Sequence, residues 1–315
     1  MKIMTYDDVD PTAVYRLTSM AFGWGLTESH VRRERREDPR CFEEFGFYAV
    51  EDGRPLAQVI PFRMRIRLAT GVETIGAIAG VCSHPSVWGL GYARKTMERA
   101  HEWFQEEGFR IAALTTSRNI RGFGIYRKMG YVDLGPFYRA YRLLPKERPR
   151  PKGIRFRQAR RTDLALLQRF FETHTRGLLG WTVRGLGEFR AKMAWGHRLL
   201  ERVRIVLRDG KPVGYFRSRP DEQVLIREAI LPRIEDFRAT VALLEARSRG
   251  KVATADWITS RKDQERFRAL GYTLDSPDPG TSMAFSLDGR LEDADLLAAF
   301  GVTAGTFVHY PTENF

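Results

Sequence analysis

The clearest chemistry in this 315-residue sequence lies in the stretch Val81-Cys82-Ser83-His84-Pro85-Ser86-Val87-Trp88-Gly89-Leu90-Gly91-Tyr92-Ala93. It reads as a strand that stops at a proline, then a glycine-rich turn, then a helix opening near Gly91. A turn of this kind aims several N–H groups at one spot. With the positive end of the helix dipole behind them, those groups suit a diphosphate. A lone Gly-x-Gly also marks ordinary loops, so the reading leans on the residues downstream. Cys41 and Cys82 are the only cysteines and form no CxxC pair, so two free thiols are expected, with neither a metal site nor a disulfide framework. No histidine is near Cys82 in sequence, and it reads as a packing residue rather than a nucleophile. His84, ahead of Pro85, reads as structural, with a proton relay as the alternative.

The elements that must position this stretch follow from periodicity. Asp7-Asp8-Val9-Asp10 caps a first helix with Val14, Leu17, Thr18 and Ala21, and Phe22-Gly23-Trp24-Gly25-Leu26 breaks it. A strand over Phe45–Val50, the turn Glu51-Asp52-Gly53-Arg54, a long strand over Pro55–Leu68 and a hairpin at Thr70-Gly71 into Val72–Ser83 come next. After the turn, Ala93, Met97, Ala100 and Phe104 form a helical stripe that Gly108 ends. Trp103 on that helix reads as core. Ile111–Thr116 is a buried strand and Ile120–Met129 a short helix; two strands follow, around Val132–Leu134 and Tyr138–Leu144. Together these make a mixed sheet with helices on both faces.

Pro145-Lys146-Glu147-Arg148-Pro149-Arg150-Pro151-Lys152 reads as a linker. The pattern then restarts. Arg160-Arg161-Thr162-Asp163 caps a helix, Arg208-Asp209-Gly210-Lys211 repeats the hairpin turn, and Phe267-Arg268-Ala269-Leu270-Gly271-Tyr272 echoes Tyr126-Arg127-Lys128-Met129-Gly130-Tyr131. A tandem duplication results: residues 1–145, a linker at 146–152, and 153–315. The second copy has Leu231-Pro232-Arg233-Ile234-Glu235-Asp236-Phe237 where the glycine turn belongs, and its bulk is expected to exclude a cofactor.

With 43% hydrophobic and 12% aromatic residues the chain is globular. No apolar run approaches a bilayer span, and Met1–Asp8 lacks a signal-peptide core, so no membrane is expected and the expected location is the cytoplasm. The net charge of +13 is spread along the chain without a helix-turn-helix, zinc finger or RNP motif. A solvated surface is the first reading, attraction of an anionic cofactor the second, nucleic acid a distant third.

The first half resembles the GCN5-related N-acetyltransferase (GNAT) superfamily, whose main motif is Arg or Gln, two residues, Gly, one residue, then Gly or Ala. Trp88-Gly89-Leu90-Gly91-Tyr92-Ala93 occupies those places, with Trp88 where a basic residue is expected; Arg94 is a nearby candidate to compensate. Asn119, Gly122 and Ile125-Tyr126-Arg127-Lys128-Met129-Gly130-Tyr131 are similar to the family's later motif. Ala21-Phe22-Gly23-Trp24, Leu114-Thr115-Thr116-Ser117 and the duplicated layout look most like the enhanced intracellular survival (Eis-like) group. That group often adds a sterol-carrier-like domain, for which the residues after Ser286 are too few.

The resemblance implies an α/β (mixed α+β) fold of two tandem GNAT-like domains, each a mostly antiparallel twisted sheet flanked by helices. It implies acetyl-CoA as cofactor and a primary amine, on a small molecule or a lysine-like group, as acceptor. Strands splay at Val81, Cys82 and Ser83; the N–H near Val81 faces the thioester oxygen, and Gly89, Leu90, Gly91, Tyr92 and Ala93 hold the diphosphate. Tyr126 is the implied general acid, against a reading as packed aromatic. Asn119 bonds the cofactor arm or caps a turn. The Phe315 carboxylate is the implied base, against a frayed terminus. Phe22 and Trp24 read equally as acceptor pocket or core. The rival is a non-catalytic acyl-CoA-binding or interaction protein with a decayed site. The sequence leaves the oligomeric state open, a homo-oligomer included.

Overall fold

The computed structural model describes residues 1–23, 26–194, 199–219 and 224–310. The first half runs β1 (Lys2–Thr5), α1 (Pro11–Phe22), α2 (Glu28–Glu37), β2 (Phe47–Glu51), β3 (Arg54–Leu68), β4 (Gly71–Ser83), α3 (Tyr92–Glu106), β5 (Ile111–Ser117), α4 (Arg121–Lys128) and β6 (Val132–Leu143). The second runs β7 (Ile154–Gln158), α5 (Leu164–His174), β8 (Leu179–Gly180), α6 (Leu186–Ala194), β9 (Val203–Arg208), β10 (Lys211–Arg219), β11 (Val224–Ile230), α7 (Ile234–Arg247), β12 (Val252–Ile258), α8 (Arg261–Arg268), β13 (Thr273–Ser286), α9 (Asp293–Ala299) and β14 (Phe307–Val308).

Local chemistry sets the boundaries. Asp10 caps α1 by accepting from the Thr12 N–H, Pro11 takes the first helical position, and Gly23 at φ 68° ends the helix. The β2–β3 turn has Asp52 and Gly53 at φ 48° and 73°, and the β9–β10 turn has Asp209 and Gly210 at φ 48° and 79°. Both central residues of each turn are left-handed, which suits the twist of a two-residue hairpin. The same device at the same place in both halves is the repeat seen in the sequence.

The strands join in one sheet of order β1-β2-β3-β4-β5-β13-β6-β12-β11-β10-β9-β7, with β8 and β14 off its path. Pairing is antiparallel except at β4–β5, β11–β12 and β8–β14. The two halves exchange strands. β13 lies between β5 and β6, with Ser282 opposite Thr115 and Met283 opposite Asp133. β6 runs on to pair with β12, Ala140 opposite Ala255. The two short strands expected over Val132–Leu144 are one strand bent at Gly135, φ 116°. The bend is held by the Asp133 carboxylate, which accepts from the Gly135 N–H, the Thr281 hydroxyl and the Arg118 guanidinium. The linker is docked: Arg148 donates to the carbonyls of Pro145, Glu245, Ser248 and Gly250.

Side-chain alternation along β5 separates two cores. Ala112 and Leu114 join Met97, Ala100 and Phe104 of α3, while Ile111 and Ala113 join Val14 of α1. On the α3 side, His101 stacks on Phe285 of β13 at 4.9 Å and shares a 2.7 Å hydrogen bond with the Tyr131 hydroxyl. Burial pushes the His101 pKa down to about 4, against a smaller opposing effect of Glu98. The unfolded chain therefore takes up this proton first as pH falls, and stability drops between about pH 6.5 and pH 4. At 1.36 kcal/mol per pH unit the full window is worth up to about 3 kcal/mol. Urea unfolding of the wild type and His101→Phe at pH 7 and pH 4.5 should show the variant losing less stability on acidification. Parallel losses would remove His101 from the account.

Candidate functional site

β4 and β5 part company. Their parallel pairing runs Gly76–Ala112, Ala77–Ala113, Ile78–Leu114 and stops, although β4 continues to Ser83 and β5 to Ser117. β4 stays on β3, with Cys82 opposite Gln58 and Ser83 opposite Ala57, and β5 stays on β13 through Thr115, Thr116 and Ser117. A gap opens between two strand edges, alongside Val81, Cys82 and Ser83. The His84 N–H donates to Leu56 of β3. Alternation then turns the Ser83 N–H and C=O to the opposite edge, into the gap. On the facing arm, the hydroxyls of Thr115 and Thr116 are buried without a hydrogen-bond partner.

A bulge starts the parting. Between Ile60–Ala79 and Gln58–Cys82, β4 carries one residue more than β3, and Gly80 there has φ 58°. The Gly80 carbonyl accepts from the side-chain amide of Gln58 at 3.0 Å. Gln58 is fully buried, and its amide oxygen accepts from the Thr18 hydroxyl of α1 at 3.2 Å. A trans peptide points its C=O and the following N–H in opposite directions. The clamp on Gly80 therefore aims the Val81 N–H away from Gln58.

The glycine turn follows. Pro85–Val87 forms one 3-10 turn capped by His84, whose Nδ1 lies 3.2 Å from the Ser86 N–H and 2.7 Å from its hydroxyl. Gly89 and Gly91 sit at φ 82° and 83°, and no atom lies within 4 Å of where a Cβ would project. Gly91 caps α3 without a side-chain partner. Among the described residues, the N–H groups of Gly89, Gly91, Tyr92, Ala93 and Arg94 have no acceptor. Five open donors at a helix start, beside open space, fit the diphosphate of a coenzyme A. Leu90 and Trp88 are exposed; the Tyr92 hydroxyl donates to Glu51; Arg94 pairs with Glu98 one turn on.

Tyr126 projects from α4, 6% exposed, with Met97, Leu114 and Tyr131 in its cluster. Burial, with Cys82 adding a smaller effect, holds its phenol well above the usual pKa, so it stays protonated. A Cβ on Gly122 would come within 3.4 Å of the Tyr126 hydroxyl, so glycine one turn back makes room for it. Burial also pushes the Cys82 thiol up to about 12. Asn119 is exposed on the β5–α4 connection, its N–H bonded to the Ser117 hydroxyl. Phe22 lies 38% exposed at the end of α1. Trp103 packs edge-on against Phe42 and Phe47, as core. Trp24 and Phe315 lie outside the described residues. The described tail ends near β5: His309 Nδ1 bonds Ser282, and Ser282 sits opposite Thr115.

Sequence reasoning missed three residues here. Gln58 and Thr18 lie in regular elements with nothing in the spelling to mark them. Arg121 is the third: its guanidinium lies 5.1 Å from the centroid of the Trp88 ring. At the equivalent place in the second half, Phe267 stands for Tyr126 without the hydroxyl. Arg266 donates to the carbonyls of Leu231 and Pro232 just past β11, and Asp236 in the first turn of α7 is bound by Arg208. Among the described residues no acidic, histidine or cysteine cluster could hold a metal ion, and no helix is long and apolar enough to cross a membrane.

Residues 2–132 match the family model described as acetyltransferase (GNAT) domain. Over those residues the chain is thus similar to an acetyltransferase (GNAT) domain, and its fold is a mixed α/β, GNAT-like one. The fold as a whole is similar to three solved structures. One is a GCN5-related N-acetyltransferase from Kribbella flavida (TM-score 0.64, 17% identity, 91% of this chain and 72% of that one). Another, from Anabaena variabilis, bears the same description (0.65, 14%, 91% and 73%). The third is Eis1 from Mycobacterium abscessus (0.62, 13%, 91% and 74%). At these identities the likeness is one of fold. No curated protein matches the chain.

Replacing Gln58 by Met should leave the Gly80 carbonyl without its donor and lower the unfolding free energy by about 1–3 kcal/mol. Urea denaturation measures this, and an unchanged midpoint would show that the clamp carries no weight.

Proposed function

We propose that this chain is an acetyl-CoA-dependent N-acetyltransferase of the Eis-like group, moving an acetyl group to a primary amine by direct attack on the thioester. The observation that carries the reading is the parting of β4 and β5 after Ile78 and Leu114, beside a turn with five open N–H groups. Acetyl-CoA supplies an activated acyl group and a thiolate leaving group. The gap edges at Val81 and Ser83 pair with the cofactor arm as an added strand would, and Asn119 bonds it from the other arm. The Val81 N–H stabilises the developing oxyanion. Tyr126, protonated at neutral pH, donates to the departing thiolate. Cys82, a thiol below about pH 12, offers no thiolate for a covalent intermediate, which favours direct attack.

The base in this reading is the terminal carboxylate of Phe315, supported by the docking of His309 on Ser282 next to β5. Phe22 and Trp24 line the acceptor side, and the acceptor is a small-molecule or lysine-like amine. Residues 1–145 hold the site and 146–152 link it to 153–315, which bind no cofactor and shape the acceptor side. The place of work is the cytoplasm. One observation favours the rival, a binding protein with a decayed site: the Trp88 indole donates to the Ser83 carbonyl at 3.1 Å, taking an acceptor that the cofactor arm would use.

A panel of amines assayed for free CoA separates the two, since coenzyme binding without release of thiol on any amine supports the rival. With an accepted amine, Tyr126→Phe should lower kcat by about 10²–10⁴-fold and leave the acetyl-CoA KM near wild type. Deleting Phe315 should reduce turnover with no change in melting temperature; full turnover would take the carboxylate out of the mechanism.

A further inference from the structure

The motif position that carries Arg or Gln in the resembling family holds Trp88 here, yet the structure brings a cation to that place from another element. Arg121 opens α4, on the far side of the gap from the glycine turn. Its guanidinium sits 5.1 Å over the indole of Trp88, the residue immediately before Gly89. The ring is itself fixed, because its N–H donates to the Ser83 carbonyl at the end of β4. The ring quadrupole attracts a cation on its face, which biases a long side chain toward one placement. Among the described residues, no carboxylate pairs with Arg121. Its guanidinium keeps its donors for a ligand, whereas Arg94, nearer in sequence, is held by Glu98.

We infer that Trp88 and Arg121 together replace the missing basic residue: the indole is a platform, and Arg121 is the side chain that binds the diphosphate of the acyl-CoA. The assignment rests on the cofactor reading above. It adds a residue from α4 to the main-chain donors at Gly89 and at Gly91, Tyr92, Ala93 and Arg94, so that the anion is gripped from both sides of the gap. A guanidinium offers a planar fork of donors suited to phosphate oxygens.

Calorimetric titration tests this with CoA and with 3′-dephospho-CoA, which keeps the diphosphate but lacks the third phosphate. Arg121→Ala should weaken both ligands by about 10- to 100-fold, the loss of a charged hydrogen bond. Trp88→Ala should weaken both by a smaller factor. The double variant W88R/R121A should recover affinity by returning a cation to the motif position. Unchanged CoA affinity in R121A overturns the assignment while leaving the cofactor reading intact. Loss for CoA but not for 3′-dephospho-CoA also overturns it, by moving Arg121 to the other phosphate. Wild-type protein that binds neither ligand removes both readings together.

Discussion

One buried side-chain amide governs the geometry of the candidate site. Gln58 reaches across from β3 to the Gly80 carbonyl and is itself gripped by Thr18 of α1. That contact stabilises an extra residue in β4, and the extra residue bends the strand away from β5. The gap, the direction of the Val81 N–H and the approach to the glycine turn all follow from it. Burial raises the stakes, because a carbonyl stripped of its donor in the interior costs more than an exposed one. The site is thus built on a strand defect that α1 and β3 hold in place.

Around this defect the groups divide by how they are held. Tyr126 is rigid, wedged between the α3 core and Tyr131, with glycine at position 122 leaving space for its hydroxyl. Burial that keeps its phenol protonated also keeps it oriented. The glycine turn is built differently, from main-chain donors in a backbone that only glycine adopts without strain at Gly89 and Gly91. The corresponding positions of the second half carry different groups. Arg266 takes the carbonyls past β11, Phe267 lacks the hydroxyl, and acidic residues sit in the first turn of α7.

Much of this was legible in the sequence, for identifiable reasons. The glycine turn was readable because positive φ favours glycine. The repeat was readable because Asp-Gly turns recur at matching places. The hairpin of β3 and β4 announced itself through strict alternation of Arg63, Arg65 and Arg67 with Met64, Ile66 and Leu68. Partnership was not legible. Alternation in β13 gives its faces but not its neighbours, so its place between β5 and β6 had no local signal. Gln58 looks like any polar residue in a strand, because its partner is a carbonyl twenty-two positions away. Arg121 is one of many arginines until the fold sets it over Trp88.

The exchange of β6 and β13 bears on how the chain is made. β5 emerges from the ribosome well before the strand that will flank it, and β6 must wait for β12. Neither half can close its sheet from its own residues. Contacts this distant in sequence delay barrier crossing, and the exposed edge of β5 is meanwhile a template for the wrong neighbour. Closure of the first half's sheet is thereby tied to synthesis of β13, so that neither half matures before the other has been made.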